Sequence, residues 1–336
     1  MSDTLDHLAL PDERMGVSLE MVRRVLASTG AGAHPDDDML IVALNYRCNS
    51  RCRFCIIEAE IDQRLEDTDR EVFRAVYRAN GLARARGRGF RRLTISGAES
   101  TLIPDLPALV AEAVEVGRFD LVRLQTNGRR LSDPGLARAL VQAGAREYFV
   151  SMHAPTAALD ARITRAPRSF DEMLRGVANL AALGARVLAN TVVCAENAGA
   201  LPDLARMQRS LGMREVHLWS FLHVGEAGQQ DQLVPLHESL PPLLQALDLL
   251  EEGQVPATVK WFPRCLLGRH AARLDNHQPQ MLIRDEFQVR LSDGFRFGCV
   301  NAADCRWYGR GCDGLHEGYR AAYGDEATTL RPEPTP

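Results

Sequence analysis

Asn45-Tyr46-Arg47-Cys48-Asn49-Ser50-Arg51-Cys52-Arg53-Phe54-Cys55 is the stretch that decides the fold of this 336-residue sequence. It follows an apolar run, Met39–Leu44, that is predicted to be a strand. Three thiolates within eight residues can hold one metal centre and leave a fourth coordination position open. Structural zinc sites usually have four protein ligands, whereas an iron–sulfur cube held by three cysteines keeps one iron free for a small molecule. A zinc knuckle completed by a distant histidine, or three buried free thiols, are the alternatives at this point.

Outward from this stretch, β-like and helical runs alternate between residues 39 and 223. The predicted strands are Met39–Leu44, Leu93–Ser96, Leu121–Gln125, Tyr148–Met152, Val187–Val193 and Val216–Phe221. The predicted helices are Asp67–Ala85, Pro107–Val116, Pro134–Ala143, Phe170–Leu183, Ala200–Leu211 and Ser239–Glu251. Near-continuous apolar strands predict a parallel sheet covered by helices. Because the sequence has no dinucleotide fingerprint, the predicted fold is α/β, a partial (β/α)6 TIM-like barrel with a small cysteine-rich C-terminal extension.

The same patterns divide the chain into four predicted parts. An N-terminal segment covers 1–38, the barrel 39–224, the cysteine-rich region 225–324 and a disordered tail 325–336. The polar stretch 225–232 is expected to be a linker. In barrels of this type the chemistry lies at the C-terminal ends of the strands, so those ends are where functional residues are expected.

Composition excludes several classes of function. The chain is 46% hydrophobic and 25% charged with a net charge of −4, which is typical of a globular protein and argues against nucleic-acid binding. No apolar run is long enough to span a membrane, and the acidic N-terminus is not a signal peptide, so a cytoplasmic location is expected. Lys260 is the only lysine, so a lysine Schiff base, as in pyridoxal phosphate enzymes, could form only there.

Four further strand ends carry polar motifs in a consistent order. These are Ser96-Gly97-Ala98-Glu99, Gln125-Thr126-Asn127-Gly128, Val150-Ser151-Met152-His153 and Asn190-Thr191-Val192-Val193. Together with the C-x3-C-x2-C spacing and Phe54 before the third cysteine, this series resembles the radical S-adenosylmethionine (radical SAM) superfamily. The resemblance implies a [4Fe–4S] cluster on Cys48, Cys52 and Cys55, with SAM bound at its open iron.

The resemblance also implies which residues bind SAM. Gly97, Ala98 and Glu99 resemble the family's Gly-Gly-Glu motif, whose backbone and carboxylate hold the amino group of the SAM methionine. A glycine permits close backbone approach, and a carboxylate suits an ammonium group. Here Ala98 replaces the second glycine and Ser100 replaces the usual proline. The further SAM contacts that the resemblance implies are Phe54, Asn127, Ser151, His153 and Asn190.

The segment Asp160–Phe170 resembles the family segment that pairs with the methionyl carboxylate. Arg165 is the first choice for that contact and Arg162 the second. Cys194 follows the fifth strand, where a thiol could donate a hydrogen atom to a substrate radical, as in some radical SAM epimerases. A small buried hydrophobic residue is the alternative role for this cysteine.

A second group of cysteines lies near the C-terminus, at Cys265, Cys299, Cys305 and Cys312. It resembles the SPASM and Twitch extensions of the same superfamily, and four thiolates imply one auxiliary [4Fe–4S] cluster. A structural zinc held by the same four thiolates is the alternative.

The expected reaction is reductive cleavage of SAM to a 5′-deoxyadenosyl radical, which abstracts a hydrogen atom from a substrate. The electron would come from a flavodoxin- or ferredoxin-type donor, and the auxiliary cluster would accept an electron or anchor the substrate. A small polar substrate (a sugar, nucleoside or amino acid derivative) is expected, because 38 residues before the first strand are too few for a peptide-recognition domain. A maturase that modifies a ribosomally made precursor peptide is the alternative, and a non-catalytic zinc- or cluster-stabilised binding module is the third hypothesis.

Overall fold

The computed structural model describes residues 34–56, 70–224 and 230–334. The strands are β1 Met39–Ala43, β2 Arg92–Ser96, β3 Leu121–Thr126, β4 Ala145–Ser151, β5 Arg186–Val193, β6 Val216–Ser220, β7 Ala257–Lys260, β8 Gln280–Leu282, β9 Phe297–Gly298 and β10 Leu315–His316. The helices are α1 Arg70–Arg84, α2 Leu106–Glu115, α3 Pro134–Ala143, α4 Ala157–Thr164, α5 Ser169–Ala182, α6 Leu201–Ser210, α7 Leu236–Glu252, α8 Asp285–Gly294 and α9 Glu317–Tyr323. Within these ranges, none of the helices combines the length and apolar character that crossing a membrane requires.

Strands β1 to β8 form one open parallel sheet, in the order β7-β6-β5-β4-β3-β2-β1-β8. This architecture confirms the predicted partial barrel. The strands are apolar because both faces are covered: Leu40 and Val42 of β1 and Leu93 and Ile95 of β2 are completely buried. A sheet of parallel strands brings all of their carboxyl ends to one edge, so the loops after β1 to β6 meet there.

The C-terminal region is part of this sheet. Strands β7 and β8 extend it at its two edges, since β7 pairs with β6 and β8 pairs with β1. With four and three residues, they are too short to show a readable alternation, which is why the sequence predicts only the first six strands. Most of the predicted linker, residues 225–229, lies outside the described residues, as do residues 1–33 of the N-terminal segment.

Helix α4 was not predicted, although it carries the segment expected to bind SAM. It begins after Thr156, whose hydroxyl accepts the backbone N–H of Leu159 at 3.4 Å as an N-cap. Its apolar stripe consists only of Leu159 and Ile163, which is too little to predict a helix from periodicity. The helix ends at Arg165, whose φ of 51° lies in the left-handed region.

The described part of the predicted disordered tail, residues 325–334, contacts the cysteine-rich region. Leu330 is 2% exposed, and the Glu333 carboxylate accepts hydrogen bonds from the Trp307 indole at 2.7 Å and from Arg306 at 2.9 Å. These contacts join the tail to the loop between Cys305 and Cys312. Disorder of the tail as a whole stays a prediction from its composition.

Candidate functional site

A cavity of about 540 Å³ opens at the carboxyl ends of the strands. Its size lies within the usual range for sites that bind small molecules and cofactors. The walls include the first three cysteines and residues from every strand end from β1 to β7. Of the residues predicted to bind the cofactor, the lining includes Cys48, Cys52, Cys55, Phe54, Gly97, Ala98, Ser151, His153, Arg165 and Asn190.

The cysteine loop after β1 is fixed from two sides. On one side, the backbone N–H groups of Arg51 and Arg53 donate to the last carbonyls of α4, to Thr164 at 2.8 Å and Ile163 at 2.9 Å. Carbonyl groups at a helix C-terminus have no hydrogen-bond partner within the helix. The N–H groups of the loop therefore supply the hydrogen bonds that the end of α4 lacks. The loop is therefore positioned by an element more than 100 residues later in the chain.

Arg129 holds the loop on its other side. Its guanidinium donates to the carbonyl of Asn49 and, at 3.1 Å, to the hydroxyl of Ser50. The same side chain pairs with Glu172 on α5 at 2.7 Å, and both partners of this pair are largely buried. The sequence analysis did not identify Arg129. Its position directly after the Asn127-Gly128 turn was the only signal available, and that signal does not reveal a partner about 80 residues away.

The electrostatics of the three thiols suit a cationic centre. Burial is the main cause that raises the pKa of Cys48 to about 11, and the neighbouring Glu99 adds to the shift. Burial and then the proximity of Cys55 and Cys48 raise the pKa of Cys52 well above its ordinary value. Three thiolates this close repel one another unless a metal centre neutralises them.

The donor set suits an iron–sulfur cluster. Three cysteine sulfurs from one loop line the cavity, and a cube held by three thiolates keeps one iron open for a small molecule. A structural zinc site usually has four protein ligands.

Gly97 is required by close contact between the loops after β1 and β2. Its φ is 135°, and a Cβ atom there would lie 2.5 Å from the carbonyl oxygen of Asn45. The two loops are also joined by a hydrogen bond from the N–H of Ala98 to the Asn45 carbonyl at 2.9 Å. The Asn45 amide donates in addition to the carbonyl of Glu99 at 2.8 Å. The Gly97–Ala98 backbone is thus held firmly on the cavity wall.

The Glu99 carboxylate lies behind that wall and not on it. It is fully buried and accepts four hydrogen bonds, from the N–H and hydroxyl of Thr101, the hydroxyl of Thr126 and the N–H of Asn127, at 2.5–3.1 Å. The sequence analysis expected this carboxylate to contact the SAM ammonium group. The structure instead uses its acceptor capacity within the protein, so Glu99 positions the loops after β2 and β3.

Asn127 is also turned away from the cavity. Its side-chain amide donates to the Asn49 side chain at 2.7 Å and lies 3.7 Å from the Cys48 sulfur. The residue is not part of the cavity lining. It therefore contacts the cysteine loop, where the sequence analysis expected a contact with SAM.

His153 is a neutral hydrogen-bond donor at the cavity. Burial lowers its pKa from 6.5 to about 3, and its Nδ1 accepts the N–H of Val192 at 3.2 Å. A neutral imidazole whose Nδ1 is an acceptor carries its proton on Nε2. The edge of Phe54 packs against the ring with centroids 4.6 Å apart, which fixes its orientation.

Two more of the predicted residues have unused hydrogen-bonding capacity. The side-chain oxygen of Asn190 is buried and has no hydrogen-bond partner among the described residues. Arg165 is exposed at the cavity, and no described residue forms a hydrogen bond or ion pair with its guanidinium. Arg162, the second choice, does not line the cavity. Of the two arginines, the one that the sequence ranked first is therefore the one at the cavity.

Cys194 does not face the cavity. Its side chain is completely buried in an apolar cluster with Leu159, Ile163 and Phe221, and burial raises its pKa to about 11. The structure therefore gives no support to a hydrogen-atom donor here. Its surroundings are those of the alternative role, a small buried hydrophobic residue.

The four C-terminal cysteines line a second, smaller cleft. The four cysteines come from three segments of the chain. Cys265 follows β7, Cys299 follows β9, and Cys305 and Cys312 flank a turn before β10. The backbone N–H of Arg264 donates to the Cys312 sulfur at 3.5 Å. Burial raises the pKa of both Cys265 and Cys312. The structure brings together all four residues that the sequence grouped.

Aromatic residues that the sequence analysis did not single out cover one side of the main cavity. Trp219 at the end of β6 and Trp261 after β7 lie edge to face, with ring centroids 5.4 Å apart. Phe295, at the end of α8, contacts Trp261 in the same way at 5.7 Å. Trp219 stands at a predicted strand end, so the rule that led to His153 could have found it.

Comparison with known proteins finds a matching family and similar chains. The profile of the Radical SAM superfamily matches residues 42–207. A PqqA peptide cyclase from Methylorubrum populi is 23% identical over 252 residues, which cover 72% of this chain and 63% of the relative. The chain thus spans less than two thirds of the length of that relative.

Solved structures share the fold. SuiB from Streptococcus suis, bound to S-adenosylmethionine, superposes with a TM-score of 0.59 at 13% identity and covers 84% of this chain and 74% of its own. The enzyme anSMEcpe, with bound AdoMet and the Cp18Cys peptide, gives a TM-score of 0.57 at 14% identity and covers 88% and 92%. At these identities the likeness concerns the fold alone.

Proposed function

Residues 42–207 belong to the radical SAM superfamily, and from this premise we propose that the chain is an enzyme that cleaves SAM reductively and abstracts a hydrogen atom from an organic substrate. The observation that carries the proposal is the convergence of Cys48, Cys52 and Cys55 on a cavity that also contains unpaired polar groups of Arg165 and Asn190. A bound [4Fe–4S] cluster supplies the electron that converts SAM to methionine and a 5′-deoxyadenosyl radical.

The chain's own residues bind and orient SAM in this proposal. The Arg165 guanidinium takes the methionyl carboxylate through charge-assisted hydrogen bonds. The Gly97–Ala98 backbone takes the amino group, and the rigid loop contacts around Asn45 hold that backbone in place. The Nε2–H of His153 and the side-chain oxygen of Asn190 offer one donor and one acceptor to the ribose. Buried apolar side chains around Phe54 keep water from the reactive centre.

The second cysteine group is proposed to hold an auxiliary [4Fe–4S] cluster. Its four cysteine sulfurs line one cleft, and four thiolates are the complete ligand set of a closed [4Fe–4S] cube. Trp261 lines the main cavity and Cys265 the second cleft, and four peptide units span at most about 14 Å. The second cleft therefore lies near the main cavity, and the cluster is proposed to accept an electron from the substrate or to anchor it. A flavodoxin- or ferredoxin-type protein is proposed as the external donor.

Two kinds of substrate are proposed. One is a small molecule. The other is a segment of a ribosomally made peptide, and it is favoured by the similarity to a peptide cyclase and by the fold shared with an enzyme whose structure contains a peptide. The two can be separated by incubating the enzyme with precursor peptides and with free small molecules, and by following deuterium transfer from substrate into 5′-deoxyadenosine.

The test of the cofactor assignment uses reconstituted protein. We expect about eight irons per chain, two cubes' worth, and no stoichiometric zinc. On reduction with dithionite, addition of SAM should change the electron paramagnetic resonance spectrum, because SAM binds the open iron of the first cluster. Four irons with one zinc would contradict the auxiliary cluster, and a spectrum that does not respond to SAM would contradict the proposed function.

A further inference from the structure

The residues that line the main cavity include two groups of different chemistry. The charged side chains among its described lining residues are Arg51, Arg53 and Arg165, which all belong to the cysteine loop or the end of α4. A second group, contributed by β6, β8, α8 and the segment after β7, is here named the aromatic wall. It consists of Trp219, Trp261, Met281, Phe287 and Phe295.

The aromatic wall presents ring surface that the protein does not cover. Trp219, Trp261 and Phe295 are only half-buried, although they lie inside a cavity. Their rings follow one another edge to face, at 5.4 Å and 5.7 Å between centroids. Edge-to-face contacts at such distances are the arrangement that aromatic rings prefer. The Lys260 ammonium group lies over the Trp219 ring, 5.9 Å from its centroid, so the wall offers its remaining uncovered ring surface to a further ring.

The backbone of the aromatic wall is held in an unusual conformation. Trp261 has a φ of 62°, in the left-handed region that a bulky residue rarely adopts. The Asn276 side chain accepts its backbone N–H at 2.8 Å and stabilises this geometry. Such conformations persist only where the surrounding structure enforces them, and they are common at ligand sites. Here the geometry places the indole beside Trp219.

The lining also limits the charge of what binds there. No described lining residue is acidic, so a cationic group would find no carboxylate partner. The side chains of the wall are themselves uncharged. The wall therefore suits an uncharged ring.

We propose that the aromatic wall binds an uncharged aromatic ring of the substrate and thereby selects aromatic substrates over sugars and aliphatic molecules. This inference rests on the proposed function and specifies its substrate class. The ring can belong to a free small molecule or to a side chain of a peptide, and both present the same chemistry to Trp219 and Trp261. The small polar substrate expected from the sequence is not the one that this wall favours.

The test is calorimetric titration of the reconstituted, SAM-loaded protein with uncharged probes. N-acetyl-L-tryptophanamide and N-acetyl-L-leucinamide differ in whether their apolar group is a ring. A second pair consists of end-blocked glycine pentapeptides with tryptophan or leucine at the centre. We expect each tryptophan probe to bind roughly tenfold more tightly than its leucine counterpart, equivalent to about 1.4 kcal/mol. The peptide will bind more tightly than the amide if the natural ring belongs to a peptide, and no more tightly if it belongs to a small molecule.

Two variants show whether the wall is responsible. Trp219→Leu should lower the preference to roughly twofold or less, whereas Trp219→Phe retains a ring and should keep most of it. Iron content and SAM affinity should be unchanged in both. Equal affinity for the paired probes, no binding of either tryptophan probe, or an undiminished preference in Trp219→Leu would overturn the inference. Loss of SAM binding by the wild type would instead contradict the proposed function, so the two failures are distinguishable.

Discussion

The carboxylate of Glu99 accepts the backbone N–H of Asn127 at 2.7 Å, and this bond joins the loop after β2 to the loop after β3. The other oxygen of the carboxylate serves Thr101 and Thr126. A carboxylate that accepts four hydrogen bonds and is fully buried stabilises the loops around it. It does so even though its position in the sequence resembles a ligand-binding motif. Its consequences for stability can be measured.

Glu99→Gln should destabilise the protein, because the amide places a donor where the carboxylate faces only donors. Leaving one such buried group unsatisfied costs about 1–3 kcal/mol. The thermal midpoint should fall, and SAM affinity should weaken only as far as the Gly97–Ala98 backbone shifts. Glu115→Gln, at an exposed position on α2, is the matched control and should change neither. An unchanged midpoint together with strongly weakened SAM binding would show that Glu99 contacts SAM directly.

Arg129→Gln should loosen the cysteine loop. The variant loses the donors to Asn49 and Ser50 and the ion pair with Glu172, which keeps only the longer contact with Arg168. We expect the cluster absorbance to decay several-fold faster in air than in the wild type, because the loop opens more often. The neighbouring exposed Arg130 provides the control, and Arg130→Gln should behave like the wild type. Equal decay rates for the two variants would exclude a positioning role for Arg129.

Arg165→Gln should weaken SAM binding without affecting folding. A charge-assisted hydrogen bond contributes about 1.5–3 kcal/mol, which corresponds to a loss of roughly tenfold or more in affinity. Arg162→Gln, on the same helix but outside the cavity, should bind SAM as the wild type does. Equilibrium binding of SAM to the reconstituted proteins checks both. Equal losses in the two variants would mean that the arginines act only through general electrostatics.

His153 should make the folded protein sensitive to acid. Its pKa in the folded protein is about 3, against an ordinary value of 6.5. Between these two pH values the imidazole of the unfolded chain binds a proton, whereas that of the folded protein does not. Its contribution to stability is therefore lost as the pH falls from about 6.5 toward 3, by at most about 1.4 kcal/mol per pH unit. The drop in thermal midpoint between pH 7.5 and 5.5 (about two units) should be larger for the wild type than for His153→Gln. Equal drops would contradict a buried neutral imidazole.

Much of this architecture can be predicted from the sequence, because long apolar strands and capped helices carry clear periodicity. The order of polar motifs at the strand ends also predicts which residues line the cavity, from Gly97 to Asn190. Strands β7 and β8 could not be predicted, because three or four residues carry too little pattern. Their edge positions are set by pairing with β6 and β1, which sequence alone does not reveal.

The direction in which a side chain points is the part that the sequence could not supply. Glu99 and Asn127 lie in the right loops but turn toward their neighbours, and Cys194 turns into an apolar cluster. Each orientation is decided by contacts between distant segments. Which of Arg165 and Arg162 lines the cavity depends in the same way on where helix α4 ends.

Formation of 5′-deoxyadenosine from SAM by reduced, reconstituted protein tests the central claim most directly. The wild type and Cys194→Ala should both form it, since Cys194 lies outside the cavity. The variant with alanine at Cys48, Cys52 and Cys55 should form none while retaining about four irons at the second cysteine group, which shows that it is folded. Cleavage of SAM by this triple variant at the wild-type rate would contradict the account.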